Sequence, residues 1–105
     1  MNCSRNDVVL LPIPFSDLSS TKVRPAIVIG HDSTGCDLYL VPITSRLSYG
    51  DFLLSGWQSC GLNVPSAVKG QLATLESKLV LKIVGRLSEE DVSILDGKLR
   101  EWLIM

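Results

Sequence analysis

Few side chains in this 105-residue chain are suited to acid–base or nucleophilic chemistry. His31 is the single histidine, which excludes a ribonuclease with paired histidines, and a cysteine–histidine hydrolase unless His31 meets a cysteine. Cys3, Cys36 and Cys60 are widely spaced and form no Cys-x-x-Cys pair, which is typical of free thiols in a reducing compartment. His31 also has no partner at a metal-ligand spacing. The sequence therefore predicts no metal and no other cofactor.

Charge is divided unevenly along the chain. The formal net charge is −1 at pH 7, but residues 87–105 hold five acidic side chains against two basic ones. The preceding residues hold eight basic against six acidic side chains. This distribution permits a modest basic surface for an anionic partner outside the C-terminal segment.

Length and composition limit the organisation of the chain. A chain of 105 residues with 46% hydrophobic residues builds one core, so we expect a single domain over residues 1–105. No apolar run approaches the roughly 18 residues of a membrane helix, and the N-terminal residues do not have the pattern of a secretory signal. The sequence predicts a soluble protein.

Short apolar segments between turn residues predict a mainly β fold. This spacing favours an antiparallel barrel over βαβ units. Residues 15–23 form a long polar connection, and long loops in compact domains are often functional. The expected strands, rich in Val, Ile and Leu, are Asp7–Ile13, Pro25–Ile29 and Asp37–Ile43, with weaker candidates at Asp51–Leu54, Ser66–Lys69, Leu72–Leu75 and Val80–Gly85.

The C-terminal segment changes to a helical period. Ser88 and Asp91 have the spacing of a capping box, and acidic residues fill the first turn. We therefore predict a helix over about residues 89–103. Its apolar face carries Val92, Leu95, Leu99, Trp102 and Leu103. Trp102 is expected in the core, with an interface role as the alternative.

Several segments, in their order along the chain, resemble the MazF/PemK family of toxins. Asn6–Asp17 contains the family's Pro-x-Pro-Phe, and Lys22–Ile29 contains its Arg-Pro-Ala strand start. The match continues through Val41–Ser45, Gly61–Ser66 and Gly85–Ser88. The resemblance implies a mainly β SH3-like antiparallel barrel of the MazF/PemK/CcdB toxin type with a C-terminal helix. It also implies a cytoplasmic homodimer and an antitoxin partner in a type II toxin–antitoxin system.

The chemistry that this resemblance implies is metal-independent, sequence-specific cleavage of single-stranded RNA by attack of the 2′-OH. Arg24 matches the family's Arg-Pro arginine, whose guanidinium would stabilise charge on the phosphate in the transition state. Thr44 matches the hydroxyl residue at the end of the third core strand and would donate to the scissile phosphate. RNA contacts are predicted for other polar residues: Ser16, Lys22, Ser45, Arg46, Lys69 and Gln71.

The sequence departs from the family pattern in two places. Asn6 stands where members usually have glycine, and asparagine tolerates a positive φ. Lys69 and Gln71 stand where many members have arginine and aspartate. Lysine keeps the charge but not the bidentate fork, and glutamine cannot act as a base. This favours a mechanism that does not depend on a carboxylate at position 71.

Two alternatives to the nuclease stay open. The first is a catalytically inert barrel that binds nucleic acid or an antitoxin, which the departures at Lys69 and Gln71 favour. The second is a gyrase-poisoning toxin of the same fold, which would bind its partner through a C-terminal helix that contains a tryptophan such as Trp102. Fold alone does not decide among these activities.

Overall fold

The structure of the chain is a computed structural model that describes residues 2–14 and 21–104, with the side chains of Pro14 and Thr21 outside the description. The strands are β1 (Asp7–Pro14), β2 (Thr21–His31), β3 (Asp37–Thr44), β4 (Phe52–Leu53), β5 (Ala67–Val68), β6 (Ala73–Glu76) and β7 (Lys82–Arg86). They are followed by the helix α1 (Glu89–Ile104). Short 3-10 turns occupy Leu47–Tyr49 and Ser77–Leu79.

All ladders between the described strands are antiparallel. The strand order is β4-β5-β3-β2-β1-β7, and β6 pairs with the first half of β3 while β5 pairs with its end. The sheet curls into a half-barrel with the helix at the C-terminal end of the chain. This confirms the predicted mainly β, antiparallel architecture and the predicted helix.

Both faces of the curled sheet are covered, because successive strand residues point to opposite faces and both sets are apolar. Val8 and Val9 show the alternation, since each is fully buried but in a different cluster. Burial of such an aliphatic side chain contributes roughly 1.5–3 kcal/mol. The helix-side core contains Val8, Ile27, Val41, Ile43, Leu54, Cys60, Val68, Leu87, Leu95 and Leu99. The far-side core contains Val9, Leu11, Ala26, Val28, Leu38, Leu40 and Val80.

The polar connection predicted over residues 15–23 is shorter than expected at its C-terminal end. Thr21–Val23 belong to β2 and pair with Pro12–Pro14 of β1. The prediction was wrong there because the ladder with β1 satisfies the backbone of residues whose side chains are typical of a loop. The rest of the predicted connection, residues 15–20, lies outside the described residues.

Two prolines lie in β1 without breaking its pairing to β2. The carbonyl oxygen of Leu10 accepts a hydrogen bond from the N–H of Leu81 at 2.8 Å, so the polar backbone groups of Leu10 face β7. Alternation along the strand places the nitrogens of Pro12 and Pro14 on that same side. The ladder between β1 and β7 ends at the pair Leu10 and Lys82. The missing N–H groups therefore fall where no β7 residue pairs, as expected for proline at a strand edge.

The first turn of α1 anchors a loop as well as the helix. The Oγ of Ser88 accepts a hydrogen bond from the N–H of Asp91 at 3.2 Å, which confirms the predicted cap. Asp91 is fully buried, and its carboxylate accepts hydrogen bonds from the N–H groups of Ser55 at 3.0 Å and Gly56 at 2.9 Å. The hydroxyls of Ser55 and Ser88 also donate to it, each at 3.1 Å. One carboxylate thus joins the helix to the loop after β4.

The C-terminal half of α1 packs inward. Trp102 is partly buried and packs against the helix-side core, which confirms the core interpretation of this residue. Its ring lies so close to Gly70 that a Cβ at Gly70 would be 2.9 Å from the ring atom Cζ2. Within the described part of the chain, no helix has both the length and the apolar character needed to cross a membrane.

Candidate functional site

The strands β2 and β3 stop pairing before they end. Their last paired residues are Ala26 and Pro42. Beyond this point β2 continues along β1, whereas the end of β3 pairs with β5. If the antiparallel register is continued by two residues, Arg24 of β2 lies opposite Thr44 of β3 on the same face of the sheet. The separation of the two strands therefore leaves a gap flanked by the two predicted catalytic residues.

A cleft of about 470 Å³ opens at this end of the sheet. The ladder partners Leu10 and Pro25, and Ile43 of the neighbouring strand, form an apolar floor on the helix side. The remaining lining residues come from β2, from the segment that follows β3, from the loop before β5 and from β7. They are Arg24, Ser45, Gly61, Leu62, Asn63, Val64, Ser66, Lys82 and Val84.

Arg24 is partly buried and lines this cleft, although its ladder partner Leu11 belongs to the far-side core. Ladder partners share a face of the sheet, whereas the cleft floor lies on the other face. Arg24 contributes to the cleft because the pairing of β2 with β3 ends two residues away, at Ala26. The guanidinium thus belongs to a residue at the boundary between the two faces.

Thr44 is 8% exposed, and its hydroxyl holds the turn that follows β3. Its Oγ1 accepts a hydrogen bond from the N–H of Arg46 at 3.0 Å. A hydroxyl has one donor and two acceptor positions, so this bond uses an acceptor position and leaves the proton to donate elsewhere. The bond also fixes the position of the oxygen relative to the strand end.

The residues predicted to contact RNA are placed in different surroundings. Ser45 lines the cleft together with Arg24. Lys22 and Arg46 are exposed, and the guanidinium of Arg46 lies 5.8 Å from the ring centroid of Tyr49, within range of a cation–π contact. Ser16 lies outside the described residues.

The two residues at the departures from the family pattern do not line the cleft. Lys69 is partly buried, and its N–H donates to the carbonyl oxygen of Pro42 at 2.9 Å. Gln71 is exposed, one residue beyond Gly70, whose N–H donates to Asp51 at 2.6 Å. The cleft therefore brings together Arg24 and Ser45 of the predicted set.

Sequence reasoning missed one wall of the cleft, the loop from Gly61 to Val64. Gly61 has a φ of 92°, and a Cβ there would be 2.3 Å from the carbonyl oxygen of Val84. A Cβ at Gly85 would likewise be 2.3 Å from the carbonyl oxygen of Cys60. The two backbone segments touch at glycines, which fixes the loop on β7. The glycine was visible in the sequence, but its partner segment was not.

Lys82 is the second residue that sequence reasoning missed. It is the first residue of β7, is exposed, and pairs with Leu10 of the cleft floor. Among the described lining residues the charged ones are Arg24 and Lys82, and both are cations. No motif marked Lys82, because a lysine at a strand start has the same appearance in a sequence whether it faces a cleft or open solvent.

The thiols and the histidine lie away from the cleft lining. Burial, with a contribution from Asp91, raises the pKa of the Cys60 thiol, and partial burial together with Asp7 raises that of Cys3. The Nδ1 of His31 is 2.7 Å from the carbonyl oxygen of Asp32, at the opposite end of β2 from Arg24. In the described ranges, no three His, Cys, Asp or Glu side chains form a cluster that would hold a metal ion.

The curled antiparallel sheet, the C-terminal helix and the basic cleft between separating strands are together what the MazF/PemK resemblance predicted. A family model described as a PemK-like, MazF-like toxin of type II toxin–antitoxin systems matches residues 4–103. The chain therefore belongs to this family of toxins, and membership implies an antitoxin as partner. Among proteins of curated function, none matches the chain.

Proposed function

We propose that this toxin is a metal-independent, sequence-specific endoribonuclease that cleaves single-stranded RNA. The observation that carries the proposal is the position of Arg24 opposite Thr44, at the point where β2 and β3 stop pairing and a cleft with two cations opens. A phosphodiester is an anion that gains charge during cleavage, so cations and fixed hydroxyl donors suit it. Family membership supports the same assignment.

In the proposed reaction the 2′ oxygen of the RNA attacks the adjacent phosphorus. The bond from the 2′ oxygen to phosphorus forms, the 2′ proton leaves, and the bond from phosphorus to the 5′ oxygen breaks as that oxygen takes a proton. The products are a 2′,3′-cyclic phosphate, or the 3′-phosphate formed from it by hydrolysis, and a 5′-OH end. Arg24 would bind the non-bridging oxygens bidentately, and this contact strengthens as negative charge accumulates on them.

Thr44 would contribute the second donor. Its Oγ1 already accepts from Arg46, so the remaining proton is directed by a fixed oxygen rather than by a freely rotating side chain. The described lining of the cleft contains no carboxylate and no imidazole. The proposed catalysis therefore depends mainly on stabilising the transition state, and Gln71 in place of an aspartate is compatible with it.

The remaining predicted residues serve binding in this proposal. Ser45 would contact the nucleotide in the cleft, and the exposed cations Lys22 and Arg46 would attract the flanking phosphates. Lys69 and Gln71 would contact RNA that extends beyond the cleft along the end of β5. We propose in addition a cytoplasmic homodimer, for which sedimentation at micromolar concentration should show about twice the 11.5 kDa mass of the chain.

The test is cleavage of a sequence-diverse pool of single-stranded RNA by the purified protein. We expect cuts at a short recurring sequence, equal rates with and without EDTA, and fragments with 5′-OH ends. A substrate with a single 2′-deoxy nucleotide at the cut site is the matched control and should remain intact, since it lacks the nucleophile. Loss of cleavage on chelation would contradict the mechanism. Absence of cleavage by well-folded protein would favour the inert binding barrel.

A further inference from the structure

The cleft has cations on two sides and an apolar floor between them. Arg24 comes from β2, and Lys82 comes from β7 on the other side of β1. Pro25 and Lys82 are both ladder partners of Leu10, so these three side chains form a row across the sheet on one face. Strands two apart are separated by about 10 Å, a distance that long basic side chains can bridge to a single bound segment.

The walls of the cleft add a small number of polar groups. Asn63 provides an amide with donor and acceptor atoms, and Ser66, although buried, lines the wall beneath it. Leu62 and Val64 continue the apolar surface from the floor onto this wall. A volume of about 470 Å³ is in the range of sites that hold small organic ligands.

We propose that this cleft is a nucleotide subsite, in which Lys82 binds a phosphate neighbouring the one held by Arg24 while the base lies on the apolar floor. The inference rests on the proposed ribonuclease function. A single-stranded polynucleotide presents flat apolar bases between regularly spaced phosphates, which matches an apolar strip between two cations. An acidic protein segment would match the two cations, but not the apolar strip with an amide beside it.

The experiment compares two variants that each remove one positive charge from the β side of the molecule. Lys82→Gln removes the cleft cation. Lys78→Gln is the matched control, because Lys78 is also exposed but lies outside the cleft and forms an ion pair with Glu76 at 3.1 Å. The probe is the RNA with a 2′-deoxy nucleotide at the cut site, so that binding is measured without turnover.

We expect Lys82→Gln to weaken binding of this RNA about tenfold near 0.1 M salt, because one charge-assisted phosphate contact is lost. The slope of log affinity against log salt should become shallower by about 0.7, the value for one phosphate contact on a single strand. Lys78→Gln should change the affinity less than about twofold. On cleavable RNA, Lys82→Gln should raise KM more than it lowers kcat.

The outcomes separate this inference from the function on which it rests. Equal affinities of the two variants, with cleavage by the unmodified protein, would overturn the subsite and leave the nuclease intact. Weaker binding by Lys82→Gln, without cleavage by the unmodified protein, would support the subsite and refute the nuclease. Failure of the unmodified protein to bind RNA would overturn both. Loss of binding only to an acidic peptide, with RNA affinity retained, would also overturn the subsite.

Discussion

The cleft beside Arg24 and the junction around Asp91 place charge in the fold in opposite ways. At the junction, a fully buried carboxylate accepts hydrogen bonds from two backbone N–H groups and two hydroxyls, so its charge is used within the molecule. At the cleft, the charged groups of Arg24 and Lys82 line a volume of about 470 Å³ beside a gap between strands. The first arrangement joins elements, and the second is suited to an external anion.

The difference follows from where backbone pairing continues and where it ends. The junction lies where a helix start and a loop supply N–H groups that have no partner within their own element, so a carboxylate completes them. The cleft lies where β2 and β3 separate, so a ligand finds room that a continuous ladder would fill. Substitutions at the two places should therefore affect different properties, activity at the cleft and stability at the junction.

The largest effect is expected at Arg24. Arg24→Ala should lower the cleavage rate about 1,000-fold or more, because the main stabiliser of the phosphate charge is removed. The free energy of unfolding should fall by about 1 kcal/mol or less, as for other charges near a surface. Single-turnover cleavage and urea unfolding measure the two quantities.

Arg100→Ala is the control for Arg24→Ala, since Arg100 is an exposed cation of α1 outside the cleft. It should cleave at the unmodified rate. A wild-type rate from Arg24→Ala would remove this residue from the mechanism. A loss of stability as large as the loss of activity would erase the proposed contrast between cleft and junction.

Thr44→Val should have the next largest effect, a fall in cleavage rate on the order of 100-fold, because it removes one fixed donor and preserves the strand. It also removes the acceptor for the Arg46 N–H, which costs about 1 kcal/mol of stability. Thr44→Ser keeps the hydroxyl and should restore most of the rate. If the serine and valine variants cleave equally well, the hydroxyl has no role in the reaction.

Asp91→Asn should have the smallest effect on the chemical step but a clear effect on stability, a loss of about 2–3 kcal/mol in urea unfolding. The amide group would place a donor against the N–H of Ser55 or Gly56, where the carboxylate accepts now. Asp96→Asn is the matched control, because Asp96 forms an exposed ion pair with Arg5 at 2.7 Å. It should cost under about 1 kcal/mol. Equal losses from the two variants would show that the buried network is not what holds the junction.

The sequence allowed prediction of those elements whose determinants are local. The Val, Ile and Leu runs predicted β1, β2 and β3, and the spacing of Ser88 and Asp91 predicted the start of α1. The family resemblance then selected Arg24 and Thr44. These predictions required no knowledge of which distant segments meet.

The parts that escaped prediction depend on contacts between distant residues. Asp91 was predicted as an acid in the first turn, but its partners Ser55 and Gly56 precede it by about 35 residues. Lys82 enters the cleft only through its register with Leu10. The backbone contact between Gly61 and Val84 likewise depends on how a loop crosses a strand. Pattern and propensity carry no information on such pairings.

The prolines of β1 also restrict how other chains approach this end of the sheet. An exposed strand edge with free N–H groups invites a further strand to add, which leads to aggregation. Pro12 and Pro14 leave carbonyl oxygens but no donors along the edge beyond Leu10, so a regular ladder cannot propagate there. A partner at this edge must therefore be recognised through side chains, and the edge is protected against uncontrolled self-association.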